Sequence, residues 1–258
     1  MLLAIDIGNT NIVIGVFDGE RLVESWRLAT LRERTADELG VLVDALFARG
    51  GVDKGRIDGI ILASVVPPLT GTARAMSQRT FHLTPLTIEA DTRTGMPILY
   101  DQPSDVGADR IVNGVAAYER FGRGANRPVV VVDFGTATTF DAISARGEYL
   151  GGAICPGVQI SADALFRRAA RLPRIDVRKP PGVIGRTTIG AMQSGLFWGY
   201  VGMVEGLVRR MDAELGGGSI SVATGGLAET IAPETTLIHH VDPDLTLQGL
   251  RIVWERNQ

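Results

Sequence analysis

A single cysteine, Cys155, stands in 258 residues, which excludes a disulfide framework and a cysteine-based metal cluster. The three histidines, His82, His239 and His240, have no ligand-like spacing with acids or with Cys155, so no histidine metal centre is indicated. There is no basic excess either: 26 lysines and arginines face 29 acids, for a formal net charge of -3. Nucleic acid and anionic membrane both need a concentrated basic face, and neither is expected as a partner. The densest basic stretch runs from Arg167-Arg168 to Arg178-Lys179 and is broken by Leu172, Pro173, Ile175 and Asp176. It reads as a solvated helix end and loop, with an anion site as the alternative. No apolar run approaches membrane-spanning length. The amino-terminal stretch lacks a basic region, a long apolar segment and a cleavage site, because Asp6 interrupts it almost at once. These absences predict a cytoplasmic protein in a reducing compartment. Two phosphate motifs are missing as well: GxxxxGK followed by Ser or Thr, and GxGxxG, which removes the P-loop and the dinucleotide fingerprint.

What is present is ordinary in bulk, with 45% hydrophobic and 21% charged residues. The chain is long enough for one sizeable core or two small ones. Leu2 to Ile7 and Ile12 to Phe17 read as buried strands, and Gly8-Asn9-Thr10-Asn11 between them favours a turn. Arg21 to Ala29 alternates as a third strand. Thr35-Ala-Asp-Glu38 is a capping box, followed by Leu39, Leu42, Val43, Leu46 and Phe47 at helical spacing and stopped by Gly50-Gly51. Ile57 to Val66 reads as a strand, with a helical stretch to about Arg79 and a short strand at Leu86 to Glu89 after it. A loop-rich region then leads into a helix from Ala108 to Phe121.

Beyond a Gly, Asn and Pro linker at 122–128 the pattern restarts. Val129 to Val132 is an apolar strand ending in Asp133, Gly135-Thr136-Ala137-Thr138 is a turn, and Thr139 to Ser144 is a strand. An extended segment at Gly147-Glu148-Tyr149, helices at Ile160 to Ala170 and Thr188 to Leu215, a strand at Ile220 to Ala223 and a closing helix at Leu245 to Trp254 follow. Asp6 and Asp133 therefore head two strand-Asp-x-Gly-turn-strand units half a chain apart. Such a duplication predicts an α/β fold with mixed sheets and two domains, 1–121 and 122–258.

A turn between strands can aim backbone N–H groups at phosphate oxygens, and glycine lets the backbone come close. Two such turns facing each other would hold a polyphosphate, and an aspartate at each strand end would bind the cation that neutralises it. The alternatives are plain hairpins with solvated tips, with Asp133 as a hairpin carboxylate. Thr224-Gly225-Gly226 is either a nucleotide contact or a strand-to-helix turn. Gly107 to Arg110 is either a substrate pocket or a helix start in which Asp109 complements the dipole. An ordinary aspartate has a pKa near ~3.9, so Asp109 is expected to be ionised at neutral pH and able to accept a hydrogen bond from an alcohol. Arg110 offers planar donors suited to a small acid. Met192, Phe197, Trp198 and Tyr200 read as core and dimer-face residues.

This layout resembles the superfamily of actin, sugar kinases and heat-shock chaperones, with duplicated ribonuclease H-like lobes and an ATP cleft between them. Within it, six segments are similar to type III pantothenate kinases over almost the whole chain: DIGNTN at the start, YDQPSDVGADR at 100–110, VVVDFGTATTFDAIS at 130–144, GGAICPGV at 151–158, MQSGLFWGY at 192–200 and DPDLTLQGLR at 242–251.

The resemblance implies ATP-dependent phosphorylation of pantothenate, the first step towards coenzyme A. It makes Asp6, Ile7, Gly8, Asn9, Thr10, Asn11, Ile12 and Val13 the first phosphate turn, with Asp6 holding Mg2+ through water, and Thr136 an ATP contact from the second. Asp109 would be the general base. Tyr100, Gly107, Ala108, Asp109 and Arg110 would line the pantothenate pocket, with Thr188 reaching the substrate. Asp133 would bind a monovalent cation, K+ or NH4+, and the active unit would be a homodimer. One departure stands in GRTT at 185–188, where Thr187 replaces the more usual asparagine.

Overall fold

The computed structural model describes residues 1–89 and 91–258. The first unit comprises Met1–Pro97, Asp101–Ala116 and Leu245–Gln258. Its strands are β1 (Leu2–Ile7), β2 (Asn11–Asp18) and β3 (Arg21–Ala29), then β4 (Gly59–Ser64) and β5 (Leu86–Thr87), in the order β3-β2-β1-β4-β5. The first three form an antiparallel meander, while β4 runs parallel to both β1 and β5. The sheet is mixed, as expected.

Helices α1 (Ala36–Gly50) and α2 (Pro67–Phe81) cover one face. Alternation along a strand sends Leu3, Ile5, Ile7, Ile12, Ile14 and Val16 to that face, where they meet Leu39, Val43, Phe47, Leu69 and Met76. The capping box of α1 is formed, and Gly51 ends the helix in the left-handed conformation. Helix α3 occupies Ala108–Ala117 and passes into a π-helical turn at Tyr118–Gly122, where the sequence pattern predicts one continuous helix.

The second unit comprises Ile98–Tyr100 and Ala117–Asp244. Strands β6 (Val129–Phe134), β7 (Ala137–Ile143), β8 (Tyr149–Pro156), β9 (Ile220–Gly225) and β10 (His240–Val241) take the order β8-β7-β6-β9-β10. Strand for strand this is the plan of the first sheet, with β6 in the place of β1. Helices α4 (Val158–Arg168), α5 (Thr188–Glu214) and the single turn α6 (Ala228–Ile231) pack on it.

One expectation needs correction. Helix α7 (Leu245–Glu255), which follows the second sheet in sequence, belongs to the first unit and covers the face of its sheet opposite α1 and α2. A β-carbon at Gly15 would lie 2.7 Å from Leu247, and one at Gly249 would overlap the Val112 carbonyl of α3. Glycine is required there because α7 lies directly on the strand and helix beneath it. A boundary at 121/122 therefore does not describe the compact units. In α5, Met192, Phe197 and Tyr200, read as core and dimer-face residues, are buried in the second unit's own core together with Leu196 and Val204, and Trp198 packs against it.

Candidate active site

The two aspartate units are built alike. LLAIDI of β1 and VVVVDF of β6 share one burial pattern, in which only the aspartate is half-buried. Asp6 lies opposite Val13 and Ala63 in its sheet, and Asp133 lies opposite Thr139 and Thr224. Each carboxylate thus leaves its sheet at the carboxyl end of the central strand, beside the turn that follows. Ligands of open α/β sheets bind at that end.

In the first turn the Gly8 N–H donates to the Asn11 carbonyl at 2.9 Å, and the Thr30 hydroxyl donates to the Gly8 carbonyl at 2.7 Å. Asn9 and Thr10 at its tip are exposed. The second turn exposes Gly135 and Thr136 and is walled by backbone. A β-carbon at Gly157 would overlap the Thr136 carbonyl and lie 2.8 Å from the Gly135 oxygen. Gly225, at φ +89°, could carry no β-carbon without meeting Asp133 Oδ1 at 2.5 Å and the Phe134 backbone at 2.6 and 2.7 Å. Gly225 thereby packs against Asp133 and Phe134, and Gly226-Leu227 leads from β9 into α6.

Asp109 lies in the first turn of α3. Its Oδ1 accepts the Arg110 backbone N–H at 2.8 Å, which satisfies a helix-terminal donor. Burial pushes the carboxyl above the ordinary aspartate range, opposed by that hydrogen bond and by the Arg110 charge. A β-carbon at Gly107 would lie 2.5 Å from Asp109 Oδ1 and 3.6 Å from Val65. The Val65 N–H in turn donates to the Ile7 carbonyl at 3.0 Å. This chain of contacts puts Asp109 at the same end of the sheet as Asp6 and its turn. Arg110 is buried beside it.

Tyr100 belongs to the second unit, where its ring lies 6.4 Å from that of Tyr149. The Tyr149 hydroxyl donates to the wholly buried Asp141 at 2.7 Å. Sequence reasoning passed over this Tyr100-Tyr149-Asp141 stack, although Asp141 is an acid inside an apolar strand and so calls for a partner. Thr188 is the exposed first residue of α5, behind its cap Thr187, whose hydroxyl accepts the Gly190 N–H at 3.0 Å.

The carboxylate and phenol groups are hard oxygen donors. No group of three His, Cys, Asp or Glu side chains among the described residues is arranged to hold a metal alone. A cation at Asp6 or Asp133 would take its remaining ligands from phosphate oxygens, backbone carbonyls and water, which suits Mg2+ and other hard ions.

Two register-matched strand-Asp-turn units of identical sheet topology define an α/β protein with the fold of the actin and sugar-kinase superfamily. The solved polyphosphate/ATP-glucomannokinase from an Arthrobacter strain has this fold, with a TM-score of 0.52 over 100% of this chain and 99% of that one, at 16% identity. Beyond the fold, the sequence comparisons are specific. A family profile described as type III pantothenate kinase matches residues 2–210. The type III pantothenate kinase of Myxococcus xanthus is 56% identical over 257 residues, covering 100% of this chain and 99% of its own. That of Moorella thermoacetica is 56% identical over 257 residues, covering 100% of both chains. The chain belongs to the type III pantothenate kinase family.

Proposed function

We propose that this protein transfers the γ-phosphoryl group of ATP to the primary hydroxyl of pantothenate, with Asp109 as the base. The observation that carries the reading is the placement of Asp109: a half-buried carboxylate with raised proton affinity, at the same sheet end as the Asp6 turn. Phosphoryl transfer has a loose transition state, so a base mainly orients the attacking hydroxyl while donors and cations stabilise the phosphate charge. Asp109 accepts the hydroxyl proton. Gly107 leaves room for its side chain, and Arg110 offers donors to the carboxylate or carbonyls of pantothenate, with Tyr100, Ala108 and Thr188 completing the pocket. Residues Asp6 to Val13 and Thr136 receive the phosphates of ATP.

Asp6 would hold Mg2+ through water, and Asp133 would hold a potassium-sized ion. Bound there, the two ions neutralise charge on the polyphosphate. A second carboxylate facing that polyphosphate would otherwise add repulsion, which is the reason to give Asp133 its own cation. The likeness to the family supports a homodimer as the active form, while the buried side chains of α5 supply no argument for it. The lone Cys155 fits a reducing, cytoplasmic setting.

ADP release with and without pantothenate tests the reaction. We expect release that depends on pantothenate and rises steeply with K+ or NH4+ over sodium or Tris. Asp133→Ala is expected to lose most of that rise. Equal rates without either ion would remove the cation from Asp133, and release indifferent to pantothenate would remove the substrate.

A further inference from the structure

Two segments that carry the family likeness, 151–158 and 192–200, meet at a single hydroxyl. Tyr200 is buried on α5, and its hydroxyl lies 2.6 Å from the Pro156 carbonyl and 2.7 Å from Ser161 Oγ. A carbonyl only accepts, so the phenol donates to Pro156 and Ser161 donates to the phenol. Three elements are tied here: the end of β8, the first turns of α4 and the middle of α5. Burial raises the phenol further above its ordinary value, so it remains a donor across the working pH range.

The tie lies one residue from the second phosphate turn. Pro156 pairs with Ala137, which follows that turn, and Gly157 is the residue whose α-carbon lies against the Gly135 and Thr136 carbonyls. The Thr136 carbonyl oxygen is nearer to that position than its carbon, at 2.8 Å, so the C=O faces Gly157. A trans peptide is planar, which sends the Ala137 N–H to the opposite side, away from Gly157. The orientation of this amide is thus set by where Gly157 rests, and Gly157 follows Pro156. A phenylalanine at 200 would fill the same volume in the core, yet it would leave the Pro156 carbonyl unheld.

We propose that Tyr200 is a positioning residue for the nucleotide phosphates, acting through the Pro156 carbonyl and Gly157 on the Gly135–Thr136 turn. The inference rests on the reading of that turn as an ATP contact. Losing one hydrogen bond that holds the turn is expected to raise KM for ATP by about fivefold to tenfold in Tyr200→Phe. KM for pantothenate and kcat should stay within about twofold, because those follow Asp109 and Arg110 at the start of α3. Ser161→Ala should move KM for ATP in the same direction by less. Binding of a fluorescent ATP analogue, measured without turnover, should weaken in parallel.

Gly157→Ala separates the two ideas, since it displaces the turn directly. If Gly157→Ala raises KM for ATP and Tyr200→Phe does not, the positioning role is lost and the phosphate turn stands. If a folded Gly157→Ala enzyme keeps its KM for ATP, the phosphate-turn reading fails and takes the positioning role with it. Should Gly157→Ala not fold, Tyr200→Phe decides alone: equal rises in both KM values, or a lower melting temperature with no change in either, would leave Tyr200 a structural residue only.

Discussion

The two aspartate turns share a plan and differ in what holds them. The first links the paired Ile7 and Ile12 through Gly8 to Asn11, closes on itself through the Gly8 N–H and is steadied from outside by the Thr30 hydroxyl. The second is one residue shorter, linking Phe134 to Thr138, and it is wedged between the backbones of Gly157 and Gly225. Where the parallel partner strand ends, the first unit has Ser64, which accepts the Val66 N–H at 3.2 Å, and the second has Gly225 in the left-handed region. A hydroxyl support can adjust by a rotamer, whereas backbone lying on backbone has no slack. The two units share one sheet plan while the supports of their turns differ, and the second turn is the less forgiving one.

The units also differ in the acid at a helix start. Helix α3 has Asp109 in its first turn, and α4 has no acid there. Asp109→Asn is the change with the largest expected effect: a fall in turnover of about 10²–10⁴-fold with nucleotide binding kept. Steady-state kinetics check it, and near-normal turnover would remove Asp109 from the base role. The raised carboxyl adds two further outcomes. The base must be ionised, so the acid limb of kcat/KM should fall at a pH above the ordinary carboxylate range. The folded state also binds this proton more tightly than the unfolded chain, so stability falls as pH rises towards the folded value and stays lower above it. Asn carries no charge to bury, and Asp109→Asn should therefore melt at a higher temperature at neutral pH, while losing activity.

Next come the supports. Gly225→Ala forces a side chain into the left-handed region and against Asp133, a loss of about 1–3 kcal/mol in thermal or denaturant unfolding. Thr30→Val removes one half-buried hydrogen bond to the first turn, and about 0.5–1.5 kcal/mol is expected. If the two changes are equal, or if Thr30→Val is the worse, the contrast between a wedged and an adjustable turn is wrong.

Much of this arrangement was legible in the sequence because its signals are local. Strand alternation, the Thr35-Glu38 cap and the left-handed Gly51 depend on residues a few positions apart, and the chain forms each of them. The two aspartates could be found because a charge at the end of an apolar strand breaks the pattern. What escaped depends on distant contacts. The return of α7 rests on Gly15, Gly59 and Gly249 meeting Leu247, Trp254 and Val112, and no window of sequence spans those pairs. The roles of Gly157 and Gly225 are of the same kind. Leu172, Ile175 and Val177, which pack with the buried residues of α5, lie in a stretch that reads as a solvated helix end and loop. The π turn at Tyr118–Gly122 likewise comes with a distant contact, the Tyr118 hydroxyl donating to the Ala145 carbonyl at 2.9 Å.

The smallest expected effect contrasts the two sheets at their outer parallel edges. In the first unit the edge beside β5 is tied by the Ile88 N–H donating to the Leu62 carbonyl at 2.8 Å, and no titratable side chain takes part in that bond. In the second, the His239 N–H donates to the Ser221 carbonyl at 3.0 Å, and the His239 ring answers by accepting the Ser221 N–H on Nδ1 at 3.0 Å. A ring that accepts on Nδ1 must be neutral there. Burial first, then the charges of Arg127 and His240, hold its pKa below the ordinary histidine value, with Asp212 opposing them. The unfolded chain consequently binds this proton more readily than the folded one. Stability from the pairing is present above the unfolded value near ~6.5 and is lost as pH falls from there towards the folded pKa. Hydrogen exchange at the Ser221 amide should accelerate between neutral and mildly acidic pH beyond its intrinsic rate, while the Ile88 amide keeps its protection. His239→Asn retains an acceptor and removes the titration, so its Ser221 protection should not change over that range. Equal acid sensitivity at both edges would show that His239 is not the group that distinguishes them.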